Sequence, residues 1–280
     1  MRYGFITCVE LGLGCMEAIY ESGSNLELVI TLNDDKASQK SGRIYLDEFC
    51  KQYKVDLVKC DHVNDPHVLN AILKANIDWL FIIGWSQIAG DAVLEVAKYG
   101  TLGIHPTLLP EGRGRASIPW AILKRLQKTG VSLFKLDTGV DTGLIGAQIE
   151  IPLDPGEDAT SLYEKMNHAH SQLMRKTIYL LENNEMTFEV QNKSNVTIWP
   201  GRKPEDGKLD LSDSVFEAER LVRALTHPYP GAFICKDGIK IVIWKSVVTN
   251  DSFEGRVLNF PDGALGLIDF DEYPDNGINS

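Results

Sequence analysis

Trp79-Leu80-Phe81-Ile82-Ile83, followed at once by Gly84-Trp85-Ser86-Gln87-Ile88, decides the fold. Five consecutive apolar residues with no polar alternation suit a strand buried on both faces, at the centre of a parallel sheet. Upstream, Tyr3–Cys8, Leu26–Leu32 and Val55–Val58 are further apolar runs of strand length. Helix-compatible segments separate them: Cys15–Glu21, Gly42–Tyr53 and Pro66–Lys74. Downstream, Thr101–His105, Gly130–Phe134 and Leu144–Ile151 continue the series. This alternation predicts an α/β fold, a doubly wound, mostly parallel Rossmann-like sheet. Gly12 and Gly14 read as a turn after the first strand; with the third glycine missing, a nicotinamide cofactor is not expected.

The composition changes after Asn183. A polar connector leads to the turn-rich Trp199–Gly207, then to a helix with Val215, Ala218, Leu221, Val222 and Leu225 at helical spacing. His227-Pro228-Tyr229-Pro230-Gly231-Ala232-Phe233 stops that helix, and short β-rich runs follow at Ile239–Trp244, Arg256–Phe260 and Leu265–Phe270. Asp271–Ser280 reads as a loose tail or a truncated edge. The expected division is a catalytic domain over 1–194 and a smaller, OB-like β-rich domain over 195–280, whose surface could pair two copies as a homodimer.

The 280 residues carry a formal net charge of −11, which argues against nucleic acid as a partner, because phosphate contacts need a basic surface. The five cysteines are scattered without a CxxC pair, as in a cytoplasmic protein with reduced thiols and no metal site. The chain enters its first strand without room for a signal peptide, and no apolar run approaches a membrane span of about 20 residues.

Both central strands deliver chemistry to one edge. Trp79–Ile83 ends in the polar loop Gly84–Ile88, and Thr101–His105 ends in a histidine followed by Pro106. In open α/β sheets ligands bind at the carboxyl ends of the strands. The loop Asp137-Thr138-Gly139-Val140-Asp141-Thr142-Gly143 adds carboxylates, with glycines that let backbone approach a ligand, though Asp beside Gly is also a turn former. An imidazole and a carboxylate are the minimum of an acid/base site. Further along, Ser161-x-x-Glu164 reads as a capping box opening a helix to about Glu182. His168 and His170, two apart on that helix, face different ways and do not suit a metal pair.

His105, Leu108-Leu109-Pro110, Arg113-Gly114-Arg115 and Asp141-Thr142-Gly143 stand in the order and spacing of a known pattern. They resemble the 10-formyltetrahydrofolate-dependent formyltransferases, whose signature is Asn-x-His-x-Ser-Leu-Leu-Pro, an Arg-Gly segment and Asp-x-Gly. Thr107 replaces the family serine, and Gly103 stands where the family has Asn. Arg202–Gly207 and Pro228–Phe233 extend the likeness toward the nucleotide-sugar N-formyltransferases. These include the formylating domain of the lipid A amino-arabinose enzyme and enzymes that feed nonulosonic acids.

The resemblance implies transfer of a formyl group from 10-formyltetrahydrofolate to the primary amine of a nucleotide-linked, UDP or dTDP, 4-amino-4,6-dideoxy sugar for surface polysaccharide. His105 would act as general acid and base and Asp141 would stabilise its imidazolium. The pterin would lie against Gln87-Ile88-Ala89 and the loop Asp137-Thr138-Gly139-Val140. Arg113 and Arg115 could clamp a diphosphate or simply form a solvated turn. Tyr229 or Phe233 could stack on a base or merely pack a turn. In the family the Asn amide donates to the formyl oxygen; Gly103 removes that donor. The alternatives are methionyl-tRNA formyltransferase, set against the acidic C-terminal part, and a non-catalytic folate or nucleotide-sugar binding protein.

Overall fold

The computed structural model describes residues 1–37, 42–249 and 253–274. Its chain order begins β1 (Tyr3–Ile6), α1 (Glu10–Glu21), β2 (Leu26–Leu32), α2 (Asp34–Ala37), α3 (Asp47–Tyr53), β3 (Asp56–Cys60) and α4 (Pro66–Ala75). It continues through β4 (Trp79–Ile82), α5 (Asp91–Leu94), β5 (Gly100–His105), β6 (Arg113–Gly114), α6 (Ser117–Leu123), β7 (Lys128–Lys135), β8 (Ile145–Pro152) and α7 (Ala159–Glu182). After β9 (Ile198–Trp199) come α8 (Val215–Leu225), β10 (Ala232–Lys236), β11 (Ile239–Thr249), β12 (Val257–Phe260) and β13 (Gly263–Pro274).

β4 is buried along its whole length and lies in the middle of a seven-stranded sheet of order β3-β2-β1-β4-β5-β7-β8. The pairs β1–β2, β1–β4, β2–β3 and β4–β5 are parallel, while β7 runs antiparallel to β5. The order reverses between β1 and β4, the switch point at which doubly wound sheets open a crevice at the strand ends. Ile6, Ile30, Leu80 and Ile82 are buried with Val68 and Ile72 of α4 in one core cluster, the apolar burial that holds sheet and helix together.

The chain divides into two compact units. The first comprises Met1–Gly114, Thr129–Pro152 and Lys165–Ile198 and contains the seven-stranded sheet. The second comprises Arg115–Lys128, Leu153–Glu164 and Trp199–Ser280. In it a four-stranded antiparallel sheet of order β10-β11-β13-β12 buries Ile234, Ile241, Ile243, Leu265 and Leu267 against Val215, Ala218 and Val222 of α8.

Several elements depart from the sequence expectation for identifiable reasons. Helix α1 begins at Glu10, so Gly12 and Gly14 lie inside it rather than in a turn. A Cβ on Gly12 would come within 1.9 Å of Thr7 Oγ1 and 2.5 Å of Thr7 Cβ, so the missing side chain lets α1 press onto the end of β1. The Ser171 hydroxyl of α7 donates to the Gly14 carbonyl at 3.2 Å, a second close approach at a glycine. Helix α3 starts at Asp47, five residues later than Gly42, whose φ of 68° is left-handed and incompatible with a helix start there.

Helix α6 stops at Leu123, and Arg125 turns left-handed at φ 55°. Helix α7 is opened by Asp158, not Ser161. The Asp158 carboxylate accepts from the Ser161 N–H at 2.9 Å and the Ser161 hydroxyl accepts in return from the Asp158 N–H at 3.3 Å. In the second unit β10 follows directly on Gly231, so the stop signal expected over His227–Phe233 already contains the first residues of a strand. Asp271–Pro274, read as tail, complete β13 by pairing with Ile239–Val242 of β11, and 275–280 lie outside the described residues.

Replacing Gly12 by Ala is expected to destabilise the protein by about 1–3 kcal/mol in urea unfolding followed by circular dichroism, because Thr7 must move. Gly156→Ala, where an added Cβ meets nothing within 4 Å, serves as the control and is expected to stay within about 0.5 kcal/mol of the parent.

Candidate active site

Strand β5 ends at His105, and the turn behind it is tightly stapled. The Ser132 hydroxyl of β7 donates to the Thr107 carbonyl at 2.6 Å and accepts from the Leu109 N–H at 3.0 Å. Gln148 of β8 donates to both the Leu109 carbonyl, at 2.9 Å, and Ser132 Oγ, at 2.7 Å. The Thr107 hydroxyl donates to the Glu111 carbonyl at 2.7 Å, and the Gly112 N–H donates to Thr197 Oγ1 at 2.8 Å. These bonds hold the carbonyl of Gly112 over the histidine.

His105 is only 7% exposed, and its Nε2 lies 2.8 Å from the Gly112 oxygen. A carbonyl only accepts, so Nε2 carries a proton in this arrangement. Nδ1 then faces Asp141 Oδ2 at 3.6 Å, too long for a hydrogen bond but within ion-pair range. Both neighbours are acceptors, so a ring with a proton on each nitrogen would find a partner for both.

Asp141 is held in place by its backbone and its side chain. Its φ of 54° is left-handed, its Oδ2 accepts from the Gly114 N–H at 2.8 Å, and its own carbonyl accepts from Gln191 at 2.8 Å. Gln191 is 5% exposed and spends its whole amide on this site. Its Nε2 also donates to the Gly143 carbonyl at 2.7 Å, while its Oε1 accepts from Arg113 Nε at 3.1 Å and Nη2 at 2.7 Å. Sequence reading passed over Gln191 because one glutamine in a polar connector carries no periodicity or spacing signal.

The other anticipated residues fall into distinct places. Gln87 is a brace: its Oε1 accepts from the Val63 N–H at 2.9 Å and its Nε2 donates to the Asp61 carbonyl at 2.8 Å. Asn64 pins the same loop by donating to the Ile88 carbonyl at 3.0 Å and accepting from the Gly90 N–H at 2.8 Å. The side chain of Ile88 is left 83% exposed; Ala89 is half-buried and packs against the core cluster. Asp137 is a turn former, accepting from the Gly139 N–H at 3.1 Å and the Thr142 hydroxyl at 2.7 Å, and Val140 is 66% exposed.

Asp137 and Thr138 line a cavity of about 410 Å³ with Asp91, Leu94, Glu95, Lys98, Tyr99, Lys135 and Leu136. Its walls mix apolar surface, carboxylates and ammonium groups. His105 and Asp141 are not among its lining residues.

Arg113 belongs to the first unit with its guanidinium turned onto Gln191, whereas Arg115, exposed, belongs to the second. Tyr229 and Phe233 also lie in the second unit. Burial pushes the Tyr229 phenol above its ordinary pKa, and Lys240 Nζ sits 4.2 Å over the Phe233 ring. His168 is exposed and His170 buried; no group of three or more potential metal ligands occurs among the described residues. No helix among them is long and apolar enough to cross a membrane.

Comparison with known proteins matches residues 15–178 to the formyl transferase family and residues 202–268 to the formyl transferase C-terminal domain. A methionyl-tRNA formyltransferase of Alkaliphilus oremlandii is 32% identical, covering 92% of this chain and 85% of that protein. The bifunctional polymyxin resistance protein ArnA of Wigglesworthia glossinidia brevipalpis is 29% identical over 89% of this chain and 38% of its own length. The solved structure of WlaRD, a sugar 3N-formyl transferase with dTDP and 5-N-formyl-THF, superposes with a TM-score of 0.68 at 19% identity, covering 99% of both chains.

Two measurements probe the frame of this site. Gln191→Ala strands buried donors and acceptors and is expected to cost more than about 2 kcal/mol in urea unfolding. His170 tests the interior behind it. Burial drives its pKa from 6.5 down to about 4, the Met166 carbonyl opposing this and His105 adding to it. The folded pKa is depressed, so the unfolded chain takes up the proton first. Stability is therefore full above about pH 6.5 and declines by about 3 kcal/mol as pH falls to about 4. In His170→Asn the loss over that window should be smaller by that amount.

Proposed function

We propose an acceptor for this enzyme on the premise that the chain belongs to the formyl transferase family and draws its formyl group from formyl-tetrahydrofolate: the acceptor is the primary amine of a nucleotide-linked amino sugar. The observation that carries the reading is charge. From Trp199 to Ser280 there are nine Lys and Arg against fourteen Asp and Glu. A surface that holds tRNA needs the opposite balance, since each phosphate contact calls for a cation. WlaRD, a sugar 3N-formyl transferase, adds support from the sugar side. The sugar is a 4-amino-4,6-dideoxy sugar on UDP, or on dTDP as in WlaRD. Such a product is of the kind that feeds nonulosonic acids, pseudaminic acid among them, and surface polysaccharide, made in the cytoplasm.

His105 is the proton-transfer residue. With Nε2–H held by the Gly112 carbonyl, Nδ1 is the nitrogen that can take a proton from the attacking amine. The carboxylate of Asp141, 3.6 Å away, favours the charged ring that results, and His105 then returns a proton to the departing nitrogen. Formyl-tetrahydrofolate when bound supplies the activated one-carbon unit. The exposed side chains of Ile88 and Val140 are surfaces a pterin would cover, and Lys98 and Lys135 would pair with its glutamyl carboxylates. Arg113 helps through Gln191, whereas Arg115, Tyr229 and Phe233 remain candidates for the nucleotide.

A second reading, methionyl-tRNA as acceptor, is favoured by the 32% identity to the Alkaliphilus protein. Purified protein with 10-formyltetrahydrofolate should add a formyl mass to a UDP- or dTDP-linked amino sugar and leave charged initiator tRNA unmodified. Formylation of the tRNA alone would sink the sugar assignment. His105→Ala and Asp141→Asn should each lower kcat by about a hundredfold or more with unchanged circular dichroism.

A further inference from the structure

Position 103 lies two residues before His105 on β5, so a side chain there would stand on the same face of the sheet as the imidazole. Gly103 has none, and the space is not empty. A Cβ built at Gly103 meets Leu136 Cδ2 at 2.8 Å, Leu136 Cγ at 3.3 Å and the Ile82 carbonyl oxygen at 3.4 Å. The first distance is far inside the roughly 3.5–4.0 Å at which carbon atoms rest against each other.

Leu136 is firmly placed. Its N–H donates to the Thr101 carbonyl at 2.8 Å, and its side chain packs on the cluster that contains Leu80, Ile82 and Val93. The same side chain lines the 410 Å³ cavity beside Asp137 and Thr138. We propose that Leu136 is a specificity-determining wall of the formyl site: it occupies the volume that a side chain at position 103 would need, the position where the family pattern this chain resembles has Asn. Glycine at 103 and leucine at 136 are then one feature. Together they put an apolar surface, instead of a hydrogen-bond donor, next to His105, and the chain holds the formyl group without a side-chain donor from this strand. The proposal rests on the reading of His105 as the proton-transfer residue.

It follows that in Gly103→Asn the new side chain meets Leu136, which must be displaced before an amide can stand beside His105. Leu136→Ala opens the space, and Gly103→Asn/Leu136→Ala fills it with an amide. The melting temperatures of the three variants and the parent form a double-mutant cycle that needs no acceptor. Gly103→Asn should melt more than about 4 °C lower than the parent. The double variant should lose clearly less than the two single losses combined.

The second measurement is the ratio of dissociation constants for 5,8-dideazafolate and its 10-formyl derivative. That ratio should be the same in the parent and Leu136→Ala, and should shift about fivefold toward the formylated ligand in the double variant. Additive melting losses would show that the two side chains do not share space and would overturn the proposal. Coupled melting with an unshifted ratio would also overturn it, reducing Leu136 to a packing residue away from the formyl group. Failure of the parent to bind either folate would remove the formyl site and the proposal together, whereas loss of the His105 reading alone would show as unimpaired turnover in His105→Ala.

Discussion

The amide of Gln191 is the constraint on which the site depends. It reaches both the loop bearing Asp141 and the guanidinium of Arg113, and it uses two donors and an acceptor shared between two N–H groups to do so. A buried amide with every group matched is stable only in one orientation, because a flip would set donor against donor. Asp141 is thus positioned by a residue fifty places away in sequence. The loop 137–143 needs such a brace, since its own turn bonds organise Asp137, Gly139 and Thr142 but do not aim Asp141.

The sheet supplies the other half. β5 is parallel to β4 and antiparallel to β7, so it joins the parallel part of the sheet to its antiparallel edge. That reversal places Ser132 opposite His105 and lets it staple the turn that follows. The histidine is therefore carried by one strand, backed by a second, and met by a loop leaving that second strand. The acceptor proposed above rests on a separate observation, the charge of the C-terminal sequence, and not on the pairing of His105 with Asp141.

How much of this could be read from the residues depended on whether they form a pattern. The apolar run at β4 has a single burial solution, and the strand series around it led directly to the doubly wound sheet. His105 and Asp141 stood out because a strand end and a Gly-rich loop are recognisable local settings, and the structure sets their side chains side by side. Glycine was the recurrent source of error. Gly12 and Gly14 signal close packing inside a helix, yet in sequence they are indistinguishable from a turn. The cap of α7 was misplaced by three residues because Asp158 and Ser161 exchange bonds, whereas a pattern search favours Ser161 and Glu164. Gln87 has the opposite lesson: its location at the ligand edge was legible, but its side chain is consumed in holding the loop. Gln191 and Leu136 were silent, since their roles exist only through partners distant in the chain.

The left-handed backbone of Asp141 has a consequence for how such a protein can change. At φ 54° a side chain is an encumbrance, tolerated by Asp and Asn and eased most by glycine. The residue whose carboxylate faces His105 therefore sits where the backbone alone would prefer another amino acid. Backbone ease and side-chain contacts are set against each other at this one position. Glycine here would relax the backbone and at the same time remove the carboxylate that faces His105 and accepts from the Gly114 N–H.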